Sequence, residues 1–281
     1  MAIRLSVSAI KDFKKCGRYY KLSRIDKRKP DQQSHSLQAG SLVHTCYYYA
    51  WGNPTKGEGW RMNWNLTGTF QRERALAMYD TLWAGSIQGG LSGQELAHAV
   101  LLLKDQKPWS EIKFRPGQLK HLKVEGQAAL KDAWGAHFRT ILADCLSTPL
   151  PAPIKEIERE VRYSLGGVEM LGFIDLVLQN PDGTEDAIDL KTTHNKPSET
   201  DLTWNEQMNT YYLEGFSTIY LWHLRSTELL PVPRNLWLMG AMQESAPVVM
   251  DAIEAGLFLP RHDAECAYCD VRKWCREGEA L

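Results

Sequence analysis

Apolar and polar positions alternate with a period of two from about residue 154 to residue 191. Two turn sequences, Gly-Gly at 166–167 and Asn-Pro-Asp-Gly at 180–183, divide this region. Because side chains on a strand point alternately to the two faces of a sheet, the pattern predicts three consecutive antiparallel strands. The last two strands form a hairpin over residues 172–191.

The rest of the chain is mainly helical in its hydrophobic spacing. The first helix is expected to begin after Ser6, which is a good N-cap residue. Further helices are predicted at residues 40–49, 70–83, 92–104, 116–146, from about 201 onward, and at 246–255. The Gly-, Trp- and Asn-rich residues 51–69 are expected to form a loop, and residues 235–242 a further strand.

Composition adds limits rather than a function. The chain has 281 residues, 43% of them hydrophobic, which is enough for a substantial core. Its formal net charge is -1, so any surface that binds nucleic acid must be local. No apolar run has the length of a membrane span, and residues 1–5 do not resemble the apolar core of a signal peptide. We therefore expect a cytoplasmic protein that does not enter a membrane.

Two acids and a lysine lie on the predicted hairpin. Asp189 and Lys191 are two residues apart on one strand and point the same way, and Asp175 lies on the paired strand. Neighbouring strands lie about 4.8 Å apart, and two carboxylates at that separation can share a small cation. A lysine beside them can steer a metal-bound water. This set suits metal-assisted phosphodiester hydrolysis. The competing interpretation is a solvated strand face, because Asp-x-Lys is a common triplet.

A basic stretch covers the predicted first helix and the residues after it. Its lysines and arginines are Lys11, Lys14, Lys15, Arg18, Lys21, Arg24, Lys27, Arg28 and Lys29. They form either a solvated helix face or a surface that contacts phosphates, with Tyr19 and Tyr20 between them.

Three cysteines lie close together near the end of the chain. Cys266, Cys269 and Cys275 fall within ten residues, and cysteines of a cytoplasmic protein stay reduced. Clustered thiols there bind metal more often than they form disulfides. Three thiolates leave a tetrahedral or cubane site one ligand short, so a distant cysteine must complete it.

The order of these motifs resembles the RecB-like branch of the PD-(D/E)xK nuclease superfamily. The similarity is to its iron–sulfur members, which include AddB-type and CRISPR-associated exonucleases. It rests on the N-terminal cysteine helix, the Gly40–His44 segment, Gly172 to Asp175, Asp189-Leu190-Lys191, the Gln-x-x-x-Tyr motif and the C-terminal cysteines. Gly17 stands where the family pattern has a proline. Residues 51–149 are not covered by the resemblance.

The resemblance implies an α/β fold with a restriction-endonuclease-like core. A central mixed sheet would be flanked by helices, with a large helical insert and an iron–sulfur lobe formed by both termini. The corresponding segments are 1–50 for the N-terminal helices, 51–153 for the insert, 154–255 for the nuclease core and 256–281 for the cluster-binding segment. All four are expected to form one integrated unit.

The resemblance also assigns roles to site residues. His44, Asp175 and Asp189 would bind Mg2+ or Mn2+, and Lys191 would be the catalytic lysine. Gln207 and Tyr211 match the Gln-x-x-x-Tyr motif and share one helix face. A glutamate before the hairpin is also expected at the site. Glu160 is preferred to Glu158.

A [4Fe-4S] cluster held by Cys16, Cys266, Cys269 and Cys275 is implied in the same way, with zinc as the competing metal. Cys46 and Cys145 are expected to be buried apolar residues. The implied activity is a metal-dependent exonuclease on single-stranded DNA ends, acting with a helicase, recombination or CRISPR partner. The alternatives are an endonuclease or a DNA-end-binding module on the same fold, and a redox protein that uses only the cluster.

Overall fold

A five-stranded mixed sheet forms the centre of the fold in the computed structural model, which describes residues 5–28, 35–56, 62–84 and 127–277. Its strands are β3 (Ile154–Leu165), β4 (Val168–Gln179), β5 (Glu185–Lys191), β6 (Ile219–His223) and β7 (Glu228–Pro231). They lie in sequence order, and every neighbouring pair is antiparallel except β5 and β6, which are parallel. The predicted row of three antiparallel strands and the mixed character of the sheet are confirmed.

Helices and one small hairpin surround this sheet. The hairpin strands are β1 (Gly52–Lys56) and β2 (Met62–Leu66). The helices are α1 (Val7–Lys15), α2 (Gly17–Tyr20), α3 (His35–Tyr49), α4 (Arg72–Ala84), α5 (Gln127–Ser147), α6 (Glu199–Thr203), α7 (Glu206–Tyr211), α8 (Leu236–Glu254) and α9 (Arg272–Glu277). Ser6 caps α1 as predicted, because its Oγ accepts the N–H of Ala9 at 3.2 Å.

Two hydrophobic clusters make a three-layer arrangement of helix, sheet and helix. One joins α3, α4 and α5 to Ile188 and Trp222 of the sheet. The other joins α1, α7 and α8 to Val177 and Ile219. The described part of the 51–153 segment therefore packs into the same core as the central strands. The segment boundaries drawn from the sequence stay predictions, and the predicted helix at 92–104 lies outside the described residues.

The predicted strand at residues 235–242 is wrong. These residues begin α8, which runs on through the predicted short helix at 246–255. The apolar run Leu-Trp-Leu-Met at 236–239 has no clear period, so the sequence alone does not separate strand from helix there. The helix continues because its apolar residues recur every three or four positions and pack on the sheet.

The predicted loop at residues 51–69 is also wrong, because it contains the β1–β2 hairpin. Pro54 pairs with Trp64 in a hairpin whose strands each pair with only one other strand among the described residues, and an edge strand tolerates a proline. Aromatic packing stabilises the hairpin: the Trp64 ring lies 5.3 Å from that of Tyr48 and 5.2 Å from that of Tyr49. No described helix is long and apolar enough to cross a membrane.

Candidate active site

Asp175 and Asp189 lie where strands β4 and β5 diverge. The last paired residues of the two strands are Leu176 and Ile188, so the two acids follow directly beyond the ladder. The Asp175 carboxylate replaces the lost strand pairing, because its Oδ2 accepts the Leu190 backbone N–H at 2.6 Å. The divergence of the strands thus creates a buried position for two neighbouring carboxylates.

Helix α3 supplies two further side chains to this point. The Tyr48 hydroxyl donates to Asp175 Oδ1 at 2.9 Å. His44 lies one helical turn earlier and therefore on the same face. Gly40 permits this close approach, because a Cβ at residue 40 would lie 2.6 Å from the Thr192 hydroxyl just beyond β5. Tyr48 was missed in the sequence, although its spacing of four residues from His44 is a usable signal.

The His44 imidazole is neutral near neutral pH. Burial, followed by the positive charge of Lys191, lowers the pKa of His44 to about 4, while Asp189 acts in the opposite direction. Its Nε2 atom is buried and has no hydrogen-bond partner among the described residues. A neutral imidazole with a free ring nitrogen is the form that binds a metal ion.

Lys191 neutralises part of the carboxylate charge. Its Nζ lies 2.6 Å from Asp189 Oδ2. Burial raises the pKa of both Asp175 and Asp189, and the ammonium of Lys191 opposes that rise. Burial would lower the pKa of Lys191, but the two carboxylates outweigh it and raise that pKa. Lys191 therefore stays protonated beside the acids.

Helix α7 covers the acids from one face of the sheet. Gln207 Nε2 lies 3.5 Å from Asp189 Oδ1 and donates to the Tyr211 hydroxyl at 2.8 Å. Tyr211 in turn donates to the Phe173 carbonyl oxygen at 2.9 Å. Gly172 permits this contact, because a Cβ there would lie 2.9 Å from Tyr211 Cε1. The motif glycine and the motif tyrosine are thus explained by one close contact.

Both candidate glutamates of β3 line a cleft of about 970 Å³ that reaches Asp175. Glu160 forms an ion pair with Arg162 at 2.6 Å. Glu158 lies between the strand positions that pair with Ile174 and Leu176, and Trp64 donates to its carboxylate at 3.3 Å. Its φ of 52° is in the left-handed region, which is unusual for a strand residue. The preference for Glu160 stays a prediction.

Much of the basic N-terminal stretch is engaged in ion pairs. Lys14 contacts Glu206 at 3.4 Å, and Lys15 contacts Glu265 at 3.3 Å. Arg24 contacts Asp12 at 2.6 Å. Lys29 lies outside the described residues. The phosphate-binding surface expected here is therefore carried by fewer unopposed charges than the sequence suggested.

The four cysteines Cys16, Cys266, Cys269 and Cys275 line one cavity of about 410 Å³. Cys16 lies at the break between α1 and α2, where its Sγ accepts the N–H groups of Tyr19 at 3.4 Å and Arg261 at 3.3 Å. Thiolate sulfurs accept such hydrogen bonds, and in clusters they tune the metal. Cys46 and Cys145 are fully buried, as expected.

The donor chemistry of the two regions differs. His44, Asp175 and Asp189 offer one nitrogen and several oxygens, which suits Mg2+ or Mn2+, and the free His44 Nε2 supports that fit. The cysteines offer soft sulfur donors. In the part of the chain that the structure describes, no three His, Cys, Asp or Glu side chains converge closely enough to hold a metal ion as they stand.

A mixed sheet with two carboxylates and a lysine at the divergence of two strands is suited to cleaving phosphodiesters. The family model of the PD-(D/E)XK nuclease superfamily matches residues 4–276. The chain belongs to this nuclease superfamily, which confirms the resemblance at that level. The RecB-like and AddB-like branch stays a prediction.

No curated protein matches the chain. The solved structures similar to it include one titled "Crystal structure of SSO0001". The two chains are 16% identical, and their match covers 55% of this chain and 75% of the other, with a TM-score of 0.31.

Proposed function

We propose that this protein is a metal-dependent deoxyribonuclease that acts as an exonuclease on single-stranded DNA ends. The observation that carries the proposal is the grouping of the buried Asp189 with the half-buried Asp175 and Lys191 beside the unpaired His44 Nε2. Membership of a nuclease superfamily supports hydrolysis of phosphodiesters. The choice of single-stranded ends rests on the resemblance to exonucleases of the RecB-like branch.

His44, Asp175 and Asp189 would hold Mg2+ or Mn2+. When bound, such an ion lowers the pKa of a coordinated water and stabilises negative charge on the scissile phosphate. Lys191 now contacts Asp189, and its ammonium can turn toward a phosphate oxygen because the lysine side chain is 37% exposed. Its positive charge then stabilises the negative charge that develops on the oxygens of the pentacoordinate phosphorus.

The α7 side chains position this machinery. Gln207 holds Tyr211 by one hydrogen bond and approaches Asp189 with the same amide. Because the Tyr211 hydroxyl is anchored on the Phe173 carbonyl, Gln207 keeps a fixed orientation toward the acids. A single-strand exonuclease needs a supply of open ends, which a helicase, recombination or CRISPR partner would provide.

The test is cleavage of end-labelled linear single strands, linear duplexes and single-stranded circles with Mg2+ or Mn2+. Lys191→Ala is expected to lose about 100- to 1,000-fold in rate, the loss typical of one charge-stabilising group. Lys196→Ala is the matched control, because Lys196 lies five residues after Lys191 and forms a surface ion pair with Glu228. Wild-type rates in Lys191→Ala would refute the site, and cleavage of circles would make the enzyme an endonuclease.

We also propose that Cys16, Cys266, Cys269 and Cys275 hold a [4Fe-4S] cluster. Their position around one cavity and the two N–H groups on Cys16 Sγ support this. When bound, the cluster supplies a structural link between residues near the two ends of the chain. Iron and acid-labile sulfide should be present after anaerobic purification and absent in Cys275→Ser, while Cys145→Ala should keep both. Stoichiometric zinc without sulfide would refute the cluster.

A further inference from the structure

Two tryptophans, Trp204 and Trp237, form an exposed aromatic pair. Trp204 directly follows α6 and is 51% exposed. Trp237 is the second residue of α8 and is 69% exposed. Their rings meet edge to face with centroids 5.4 Å apart. Tryptophan is largely buried in most proteins, so two such exposed rings in contact indicate a binding surface.

A buried asparagine network fixes the backbone on which the rings stand. Asn209 is fully buried, and its amide donates to the carbonyls of Thr203 at 3.2 Å and Asn205 at 3.0 Å. Its Oδ1 accepts the Asn235 N–H at 2.7 Å, and the Asn235 amide also donates to Thr203. Trp204 lies between two of these residues and Trp237 lies two positions after a third. The pair is therefore held on rigid supports, as a binding site requires.

The pair is connected to the candidate site through the chain. Trp204 precedes Gln207 by three residues, and the Gln207 amide lies 3.5 Å from Asp189 Oδ1. Arg234, two residues before α8, is exposed, and its guanidinium lies over the Tyr212 ring at 5.4 Å, from where its charge can still meet a phosphate. Exposed aromatic rings with an arginine nearby in the sequence have the composition of a surface for single-stranded nucleic acid.

We propose that Trp204 and Trp237 form a platform for an unpaired base of the strand that is being cleaved. The base stacks on the face of one ring, and the other ring, at 72° to it, supports that ring from the side. The inference rests on the proposed nuclease function and names the surface that would hold its single-stranded substrate. An unpaired base presents its face to the rings, whereas a base inside a duplex is already stacked on both sides. The platform therefore discriminates single strands from duplexes without reading sequence.

The test is binding of a fluorescent oligothymidylate and of a duplex of equal length, in EDTA so that nothing is cleaved. Replacing both tryptophans, Trp204→Leu with Trp237→Leu, should weaken single-strand binding about 5- to 150-fold, the range for losing one or more stacked bases. Duplex binding should change less than about twofold. Trp204→Phe with Trp237→Phe should keep most of the single-strand affinity, because phenylalanine still stacks. Leu257→Ala, at another exposed apolar side chain, should have no effect.

Hydrolysis of methyl p-nitrophenyl phosphate separates this proposal from the proposed function. That small diester has no base, so the leucine variant should cleave it at the wild-type rate while losing activity on oligothymidylate. Unchanged single-strand binding in the leucine variant would overturn the platform. So would an equal loss in the phenylalanine variant, or a change of oligomeric state in place of a change in DNA binding. A wild type that binds through these rings yet cleaves neither substrate would refute the nuclease and leave the platform standing.

Discussion

The contact between Gly172 and Tyr211 tests the site at the scale of one methyl group. Gly172→Ala forces a Cβ to within 2.9 Å of Tyr211 Cε1 and 3.1 Å of Val161 Cγ2. We expect a loss of about 1 to 3 kcal/mol in stability from overpacking. Because Tyr211 orients Gln207 toward Asp189, nuclease activity should fall about 10- to 100-fold. Thermal unfolding and the rate on linear single strands measure the two effects.

Gly240→Ala is the control for that variant. Gly240 lies inside α8, and nothing stands within 4 Å of the Cβ that alanine would add. The change should stabilise the protein by about 0.5 to 1 kcal/mol, because alanine loses less backbone freedom than glycine in a helix. Equal activity losses in both variants would show that the Gly172 contact does not position Tyr211.

Some residues of the candidate site could be predicted from the sequence, and others could not. Strand periodicity is enough to place Asp189 and Lys191 on one face, and the hairpin turn is enough to bring Asp175 beside them. Glu158 could not be placed, because its positive φ depends on the strands around it rather than on its own residue type. The Trp64 contact to Glu158 could not be predicted either, because the hairpin that carries Trp64 was predicted to be a loop.

At the scale of elements, Asn209 joins three helices. Asn209→Ala removes a donor from two carbonyls and an acceptor from the Asn235 N–H in a fully buried position. We expect a loss of about 2 to 4 kcal/mol, because buried polar groups are left without partners. Asn205→Ala removes the α7 cap and should cost about 1 kcal/mol. Urea unfolding compares them, and equal costs would contradict the central position of Asn209.

A pH-dependent ion-pair network joins β3 to β5 across β4. Arg159 and Lys155 of β3 both contact Glu185 of β5. Hydrogen bonding to Arg159, followed by that to Lys155, lowers the pKa of Glu185 to about 2 from its ordinary 4.5, although burial opposes the shift. Since the folded-state pKa is the lower one, this stabilisation is complete above about pH 5 and is lost as the pH falls toward 2.

The stability gap between wild type and Glu185→Gln should therefore shrink as the pH falls from 6 to 2.5. Urea unfolding across that interval measures it, with Glu254→Gln at the exposed end of α8 as a reference substitution. A gap that stays constant over the interval would show that Glu185 is not ionised in this network.

The elements themselves could be predicted where one period dominates. The β4–β5 hairpin has alternating residues and two strong turn dipeptides, so local and long-range signals agree. In α8 they conflict, because the apolar run at 236–239 fits either period and Pro247 argues for a break. Packing of Leu238, Met242 and Val249 on the sheet decides for the helix. That information lies in the tertiary fold and not in the segment.

At the scale of the whole molecule, residues far apart in sequence form one lobe. Tyr20 stacks on Phe258 with ring centroids 6.3 Å apart, and the Arg18 N–H donates to the Leu259 carbonyl at 3.3 Å. These contacts bring Cys16 to the same cavity as Cys266. The pairing of distant segments could be expected from the cysteine pattern, whereas the aromatic contacts beneath it could not.

Cluster binding should add stability to this lobe beyond its aromatic contacts. A link between Cys16 and Cys266 closes a very long loop, and loss of that link should cost about 3 to 5 kcal/mol through the freedom gained by the unfolded chain. Urea unfolding of anaerobically purified wild type and Cys275→Ser measures the difference. An unchanged midpoint after loss of iron would show that the protein contacts alone hold the lobe.

The position of β5 inside the sheet has a further consequence. This strand carries Asp189 and Lys191; it pairs with β4 only up to Ile188, and with β6 from Ala187 through Lys191. Amide protons of doubly paired central strands exchange with solvent only when the protein opens globally. The candidate catalytic groups thus follow directly after a doubly paired segment, Ala187 and Ile188, whose amide protons should be among the slowest to exchange. Binding and release of a DNA substrate must then depend on the surrounding loops and helices. Substitutions that speed turnover should be sought there.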